Sequence, residues 1–292
     1  MNDLTGIAGL RRYPLARRGF VMTSLISGFT LATTRVEAQA IHTDTTGLDA
    51  GEAQVPVKDG KLPVYYARPA KGTGFPIILV NEEIFGVHEY IQDVCRRFAK
   101  LGYMAVAPEI YFRNADFPKM TDPQQIMRDV IFKTPDDEIL SDLDATFAWA
   151  AQNHGDAAHI GEIGFCFGGR NTWLYAAHNP NLKAAVAFYG HIKNPTSDIK
   201  PKTALDIADQ IHCPVLGLYG GQDPSNPADL IHQAEAKAKA AGKTVEIVIY
   251  PDAPHGFHAD YRPSYRQADA EDAWTRMLAW FKRYGVAPTG AG

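Results

Sequence analysis

Gly164-Phe165-Cys166-Phe167-Gly168-Gly169 sets a thiol between glycines two residues before and two residues after it. That spacing is the strand-to-helix turn of the G-x-S-x-G type, with cysteine in place of serine. Small neighbours let the strand and the helix approach closely. The following helix N-terminus offers amides and a dipole that stabilise a thiolate. Read alone, the segment also fits a buried, inert cysteine beside a glycine-rich turn. Acyl transfer needs a base for the nucleophile and a group that orients the base. His255, in Ala253-Pro254-His255-Gly256-Phe257, is the candidate base, and Asp223, after Gly220-Gly221-Gln222, the candidate acid. Asp252 shares the turn of His255 and is the lesser candidate for the acid. His258 reads as a solvated or supporting group. The other histidines lack metal-ligand spacing, so no metal site is expected, and no cofactor motif occurs. Cys95 and Cys213 lie in apolar surroundings and are expected to be buried free thiols, although the sequence leaves open a pairing between them.

These groups need a scaffold that brings distant loops together. Strand patterns cover 61–68, 76–80, 103–107, 162–165, 183–189, 214–219 and 245–250, and Pro76-Ile77-Ile78-Leu79-Val80 is continuously apolar, as in strands buried on both faces. Helical spacing covers 88–101, 141–153 with Ser141 as cap, 169–177, 227–241 and 265–283. Strands alternating with helices imply one α/β domain, a mostly parallel sheet with helices on both faces. Residues 41–60 read as a polar lead-in with one edge strand at most. Residues 109–140 show no clear period and read as an excursion over the sheet, and 285–292 read as a frayed tail. Asp223 and His255 follow strand ends, where ligand and catalytic groups collect in parallel sheets. The chain order nucleophile, acid, histidine is that of the α/β-hydrolase fold.

On these residues the chain resembles the dienelactone hydrolase (carboxymethylenebutenolidase) family. The resemblance rests on Glu83-Ile84-Phe85-Gly86-Val87, the Cys166 turn, the Asp223 and His255 loops, Gly102-Tyr103 and Pro108-Glu109-Ile110-Tyr111, and it spans most of 60–284. It implies hydrolysis of small esters or lactones through an acyl-enzyme. It also implies that Glu83 is a carboxylate beside the nucleophile, with Glu82 the alternative, and that the Ile84 and Phe167 amides form the oxyanion hole. Arginines that hold a substrate carboxylate are a family feature, but the residue four past His255 is Ala259. Arg113, Arg128 and Arg262 remain as weak candidates, with Phe132 four residues past Arg128, and Arg170 reads as a local partner. The alternatives are a broader carboxylesterase or thioesterase with the same triad, or an inactive binding module.

Composition narrows the partners. The 292 residues are 46% hydrophobic and 21% charged with formal net charge −4, which fits one soluble domain and a small-molecule substrate rather than a nucleic acid. The N-terminus reads as an export signal of the twin-arginine type: Arg17-Arg18, an apolar run from Val21 to Thr33, and Ala38-Gln39-Ala40 before the cut. The run is too short for a permanent membrane anchor. Cleavage after Ala40 leaves 292 − 40 = 252 residues, and losing five arginines, Asp3 and Glu37 takes the charge from −4 to −7. The expected location is the periplasm or the exterior. Oligomeric state is not legible.

Overall fold

A computed structural model describes residues 40–288. The export signal expected over 1–40 lies outside the described residues except for Ala40. The chain forms an eight-stranded sheet in the order β1-β2-β4-β3-β5-β6-β7-β8. Strands β1 (Leu48–Val57) and β2 (Gly60–Pro69) make an antiparallel hairpin, and β2 runs antiparallel to β4 (Met104–Pro108). The remaining strands, β3 (Phe75–Asn81), β5 (Gly155–Phe165), β6 (Ala184–Phe188), β7 (Val215–Gly220) and β8 (Val245–Tyr250), run parallel with β4. Every residue of β4, β6 and β7 is buried, as expected of strands covered on both faces.

The sheet order locates the site. From β3 the chain first crosses to β4 on one side, and β5 then lies on the other side of β3. Loops leaving the C-terminal ends of β3 and β5 therefore diverge over adjacent strands, which opens a crevice at that switch point. Asn81 at the end of β3 lies opposite Gly164 near the end of β5. The Glu82-Glu83 loop and the Cys166 turn consequently share one crevice wall.

Helix α1 (Glu89–Lys100) begins with Glu89 and ends with Arg97 and Lys100, matching its dipole. The segment 109–140 consists of short pieces: 3-10 turns at Phe117–Lys119 and Ile131–Lys133, and α2 (Pro123–Asp129) between them. Helix α3 (Asp136–Gln152) starts five residues before the expected Ser141. Pro135 sits extended at its N-cap, and Asp136, Asp137 and Glu138 occupy its first turn, a charge pattern that favours a helix start there. Helix α4 (Phe167–His178) begins at the residue after Cys166, and α5 (Ala204–Ile207) is a short turn with a Thr203–Asp206 capping box that periodicity does not signal. Helices α6 (Ala228–Ala240) and α7 (Gln267–Arg283) follow the expected pattern. The lead-in holds a full ten-residue strand, β1. The expected frayed tail is docked at its start: Val286 is buried, its amide donates to the Phe281 carbonyl, and its own carbonyl accepts from the Tyr103 hydroxyl. No helix among the described residues is long and apolar enough to cross a membrane.

Candidate active site

Strand β5 ends at Phe165 and α4 begins at Phe167, so Cys166 makes the whole turn alone, at φ 58° and ψ −117°. That is a costly conformation for a residue with a side chain, of order 1–3 kcal/mol, and such strain is found at functional turns. The glycines make it possible. A Cβ on Gly164 would stand 2.2 Å from the Gly168 carbonyl oxygen, and one on Gly168 would stand 2.3 Å from that of Glu82. The second contact also presses the loop after β3 onto the first turn of α4. It sets Asn81 and Glu82 directly against Gly168.

His255 and Asp223 meet over this turn. His255 Nδ1 lies 2.7 Å from Asp223 Oδ2, and because a carboxylate only accepts, Nδ1 is the protonated nitrogen. Asp223 also accepts from the Ser225 hydroxyl at 2.5 Å, the Ser225 amide at 2.9 Å and Asn226 Nδ2 at 3.0 Å. Burial alone would raise the Asp223 pKa, but the His255 charge and these hydrogen bonds hold it well below the carboxylate range. Burial opposes a charge on His255. The Asp223 charge, followed by interactions with Cys166, outweighs it and moves His255 up to about 10. Ligand atoms of Cys166, His191 and His255 lie within 4.8 Å of one another.

His191, which the sequence reading did not single out, follows β6. Its Nε2 is 3.8 Å from Cys166 Sγ, and its ring stacks on His255 at 5.4 Å and 15°. Burial, then the neighbouring His255 charge, pushes its pKa down to about 3. Asn226 ties this loop to Asp223, accepting from the Ile192 amide while donating to Asp223. One local signal was available: Asp223-Pro224-Ser225 forms a turn in which the Asp side chain accepts from the amide two residues on.

Glu83 is fully buried in the loop after β3. Its Oε2 accepts from Arg262 Nη2 at 2.9 Å and the Tyr261 hydroxyl at 2.7 Å, with His88 Nε2 at 3.6 Å, while Oε1 has no hydrogen-bond partner. Burial would raise its pKa, but the Arg262 charge, then His88 and Tyr261, bring it down to about 2. The Arg262 guanidinium packs over the rings of Tyr261 at 4.8 Å and Phe85 at 5.0 Å. Glu82 is set against Glu109 instead, and both of its carboxyl oxygens are buried without a hydrogen-bond partner.

Other candidate residues are engaged away from these groups. Arg113 bridges Asp59 in the β1–β2 turn to Asp142 on α3, and Arg128 pairs with Asp129 at an exposed position. Both are bound to carboxylates of the chain itself, so neither is presented to a substrate in this arrangement. Arg170 is buried and grips Asp136 through two parallel hydrogen bonds. His258 is not solvated: it is buried, bonds the Tyr90 hydroxyl at 2.6 Å, and burial pushes its pKa down to about 3. Cys95 and Cys213 are buried free thiols.

A parallel-sheet core, a cysteine on a strained strand-to-helix turn and a histidine–aspartate pair from later loops define an α/β-hydrolase. The comparisons narrow the class. The dienelactone hydrolase family model matches residues 62–285. The chain is 53% identical to a protein of Methylorubrum extorquens named "Putative carboxymethylenebutenolidase" over 98% of each chain. A protein of the same name from Escherichia coli K12 is 47% identical, covering 90% of this chain and 97% of that one. A crystal structure from Klebsiella pneumoniae, titled as a putative dienelactone hydrolase, is 49% identical with TM-score 0.79, covering 81% of this chain and 99% of that one. The chain belongs to the dienelactone hydrolase family and is a carboxylic ester hydrolase.

Proposed function

We propose that the protein hydrolyses small esters or lactones through an acyl-enzyme on Cys166. The observation that carries this reading is the Asp223–His255 hydrogen bond of 2.7 Å, set beside a thiol on a strained strand-to-helix turn. His255 Nε2 holds the proton drawn from the thiol, and Sγ attacks the carbonyl carbon. The amides of Ile84 and Phe167 hold the oxyanion. Collapse breaks the carbon–oxygen bond, and Nε2 returns the proton to the leaving alcohol, which stays tethered when the substrate is a lactone. Water, deprotonated by His255, then attacks the thioester, releasing the acid and restoring the thiol. Asp223 fixes the ring and supports the imidazolium. Arg262 keeps Glu83 ionised, and the negative charge of Glu83 restrains the thiolate until substrate enters. An acidic substrate competes with Glu83 for Arg262. The second reading, a broader carboxylesterase or thioesterase, is favoured by one observation: Arg113, Arg128 and Arg262 are all bound to carboxylates of the chain itself.

Mass spectrometry of the enzyme quenched during aryl ester turnover tests the acyl-enzyme. Cys166→Ala should lose both adduct and turnover, while Cys95→Ala and Cys213→Ala keep most activity. Equal losses in all three would refute the assignment. His255→Ala should be more severe than Asp223→Asn, which should itself slow acylation on the order of 10⁴-fold. A panel of esters with and without a carboxylate separates the two substrate readings. We also propose export with cleavage after Ala40. Fractionation should find Arg17→Lys/Arg18→Lys precursor unprocessed in the cytoplasm, and intact residue 1 on exported protein would contradict it. Residues from His42 onward lie against α1, as in the 2.8 Å bond from Arg96 Nε to the Thr43 carbonyl, so this cut leaves those contacts in place.

A further inference from the structure

One histidine beside the thiol has no part in the acyl transfer. His191 brings a second ring nitrogen to 3.8 Å from Cys166 Sγ. The ligand atoms of Cys166, His191 and His255 all lie within 4.8 Å of one another, although the three residues come from three separate loops and show no metal-ligand spacing in the chain. In a tetrahedral zinc site, with Zn–S about 2.3 Å and Zn–N about 2.0–2.1 Å, sulfur and nitrogen ligands stand roughly 3.6 Å apart. The Cys166–His191 edge already has nearly that length.

The surroundings suit a metal as well. His255 is oriented through Nδ1 by the Asp223 carboxylate, the arrangement that fixes metal-bound imidazoles. His191 Nδ1 makes no hydrogen bond, so its ring is the one that can turn out of the stack and aim Nε2 at an ion. The three residues are 0%, 1% and 2% exposed, which gives a coordinated ion little competition from bulk water.

We propose that Cys166, His191 and His255 form a three-ligand site for a thiophilic divalent cation of the zinc class, and that the bound ion reversibly silences the hydrolase. One sulfur–metal and two nitrogen–metal bonds form, with water in the fourth position. The proton carried by the thiol–imidazole pair goes to solvent. No electron is transferred, and a chelator reverses the step. The silencing rests on Cys166 and His255 being nucleophile and base; the binding rests on geometry alone.

Cd²⁺ and Co²⁺ added to the reduced, metal-stripped full chain read binding without activity. One equivalent of Cd²⁺ should raise a thiolate-to-metal ultraviolet band that is absent in Cys166→Ala, and Co²⁺ should give the intense visible bands of a tetrahedral site. Zn²⁺ should abolish ester hydrolysis at the same stoichiometry, and a chelator should restore it. Loss of an outer partner alone costs about 10–100-fold in metal affinity, so His191→Gln, deleting a ligand, should weaken Cd²⁺ binding by at least that much. His191→Asn repeats the test, with thermal unfolding to verify each fold, and the Co²⁺ spectrum needs no variant. No Cys166-dependent band in the wild type, or unchanged affinity in folded His191 variants, overturns the proposal. Hydrolysis that survives in Cys166→Ala while the wild-type band is present removes the catalytic reading and the silencing, and leaves the metal site standing.

Discussion

Glu82 and Glu83 are adjacent, equally buried, and titrate in opposite directions. Glu83 faces a guanidinium, a tyrosine hydroxyl and a histidine, and stays ionised down to about 2. Glu82 faces Glu109, which is half-buried and bonded to the Val87 amide, and burial followed by the Glu109 charge pushes Glu82 well above the carboxylate range. Glu109 is raised as well, by burial, while the hydrogen bond from the Val87 amide lowers it. Desolvation is common to both glutamates, so the partner alone decides the charge. One loop therefore presents an ionised carboxylate to the crevice and fastens its other side with a neutral one.

Breaking the Glu83 side should have the largest effect. Arg262→Leu leaves a buried carboxylate without its cation, and such one-sided losses cost about 3–5 kcal/mol. Urea unfolding at pH 7 measures it. The lowered pKa of Glu83 makes its contribution fully present above the unfolded value of 4.5 and lost as pH falls through about 2. The Arg262→Leu deficit should therefore shrink as pH falls, because the stranded Glu83, no longer held down by the Arg262 charge, takes up a proton that the wild-type Glu83 refuses until about 2. A deficit independent of pH would mean that Arg262 contributes packing over Phe85 and Tyr261 rather than charge.

Glu83→Gln is the intermediate case. The amide oxygen still accepts from Tyr261 and Arg262, so the loss should be that of a charge-assisted hydrogen bond, about 1.5–3 kcal/mol. The functional change is the sharper readout. Ester turnover should fall, and the rate of iodoacetamide modification of Cys166 should acquire a different pH dependence, read with Cys95 and Cys213 replaced. Superimposable alkylation profiles with unchanged turnover would reduce Glu83 to a structural acid.

The partners of these groups account for what was legible beforehand. Cys166 announces itself because its turn needs small residues at fixed offsets, and Asp223 and His255 because parallel strands end where ligands gather. Glu83 is named by the Ile-Phe-Gly segment after it, but the cation that decides its state is Arg262, 179 positions away. No local period encodes such a contact, and Arg262 reads only as a weak substrate ligand. His191 is hidden for the same reason, since its approach to Cys166 follows from β6 lying beside β5. The segment 109–133 lacks a period because it is built from short pieces, fastened by Arg113 to Asp59 and Asp142. The start of α3 was within reach: Pro135-Asp136-Asp137-Glu138 is a helix N-terminus in composition.

The smallest effect belongs to Glu82. Glu82→Gln keeps a donor toward Glu109 and removes one ionisable group from a site where charge is unwelcome. Its raised pKa gives the wild type a contribution that is fully present below the unfolded value of 4.5 and is lost as pH rises through the folded value. Near pH 4 the variant should therefore match the wild type to within about 1 kcal/mol, the net worth of one neutral hydrogen bond. As pH rises the variant should gain relative to the wild type, because it no longer carries a group that ionises only on unfolding. The sign is opposite to that of Glu83→Gln, which loses the stabilising charge over the same range. Paired urea titrations of the two variants at pH 4 and pH 8 read both signs at once. Cys166 alkylation should not distinguish Glu82→Gln from wild type, since the Glu82 carboxyl is buried against Glu109 rather than beside the Arg262–Glu83 pair. A shifted alkylation profile in this variant would show that the two carboxyls act on the thiol as a unit, and the division of the loop into a charged face and a neutral face would fall.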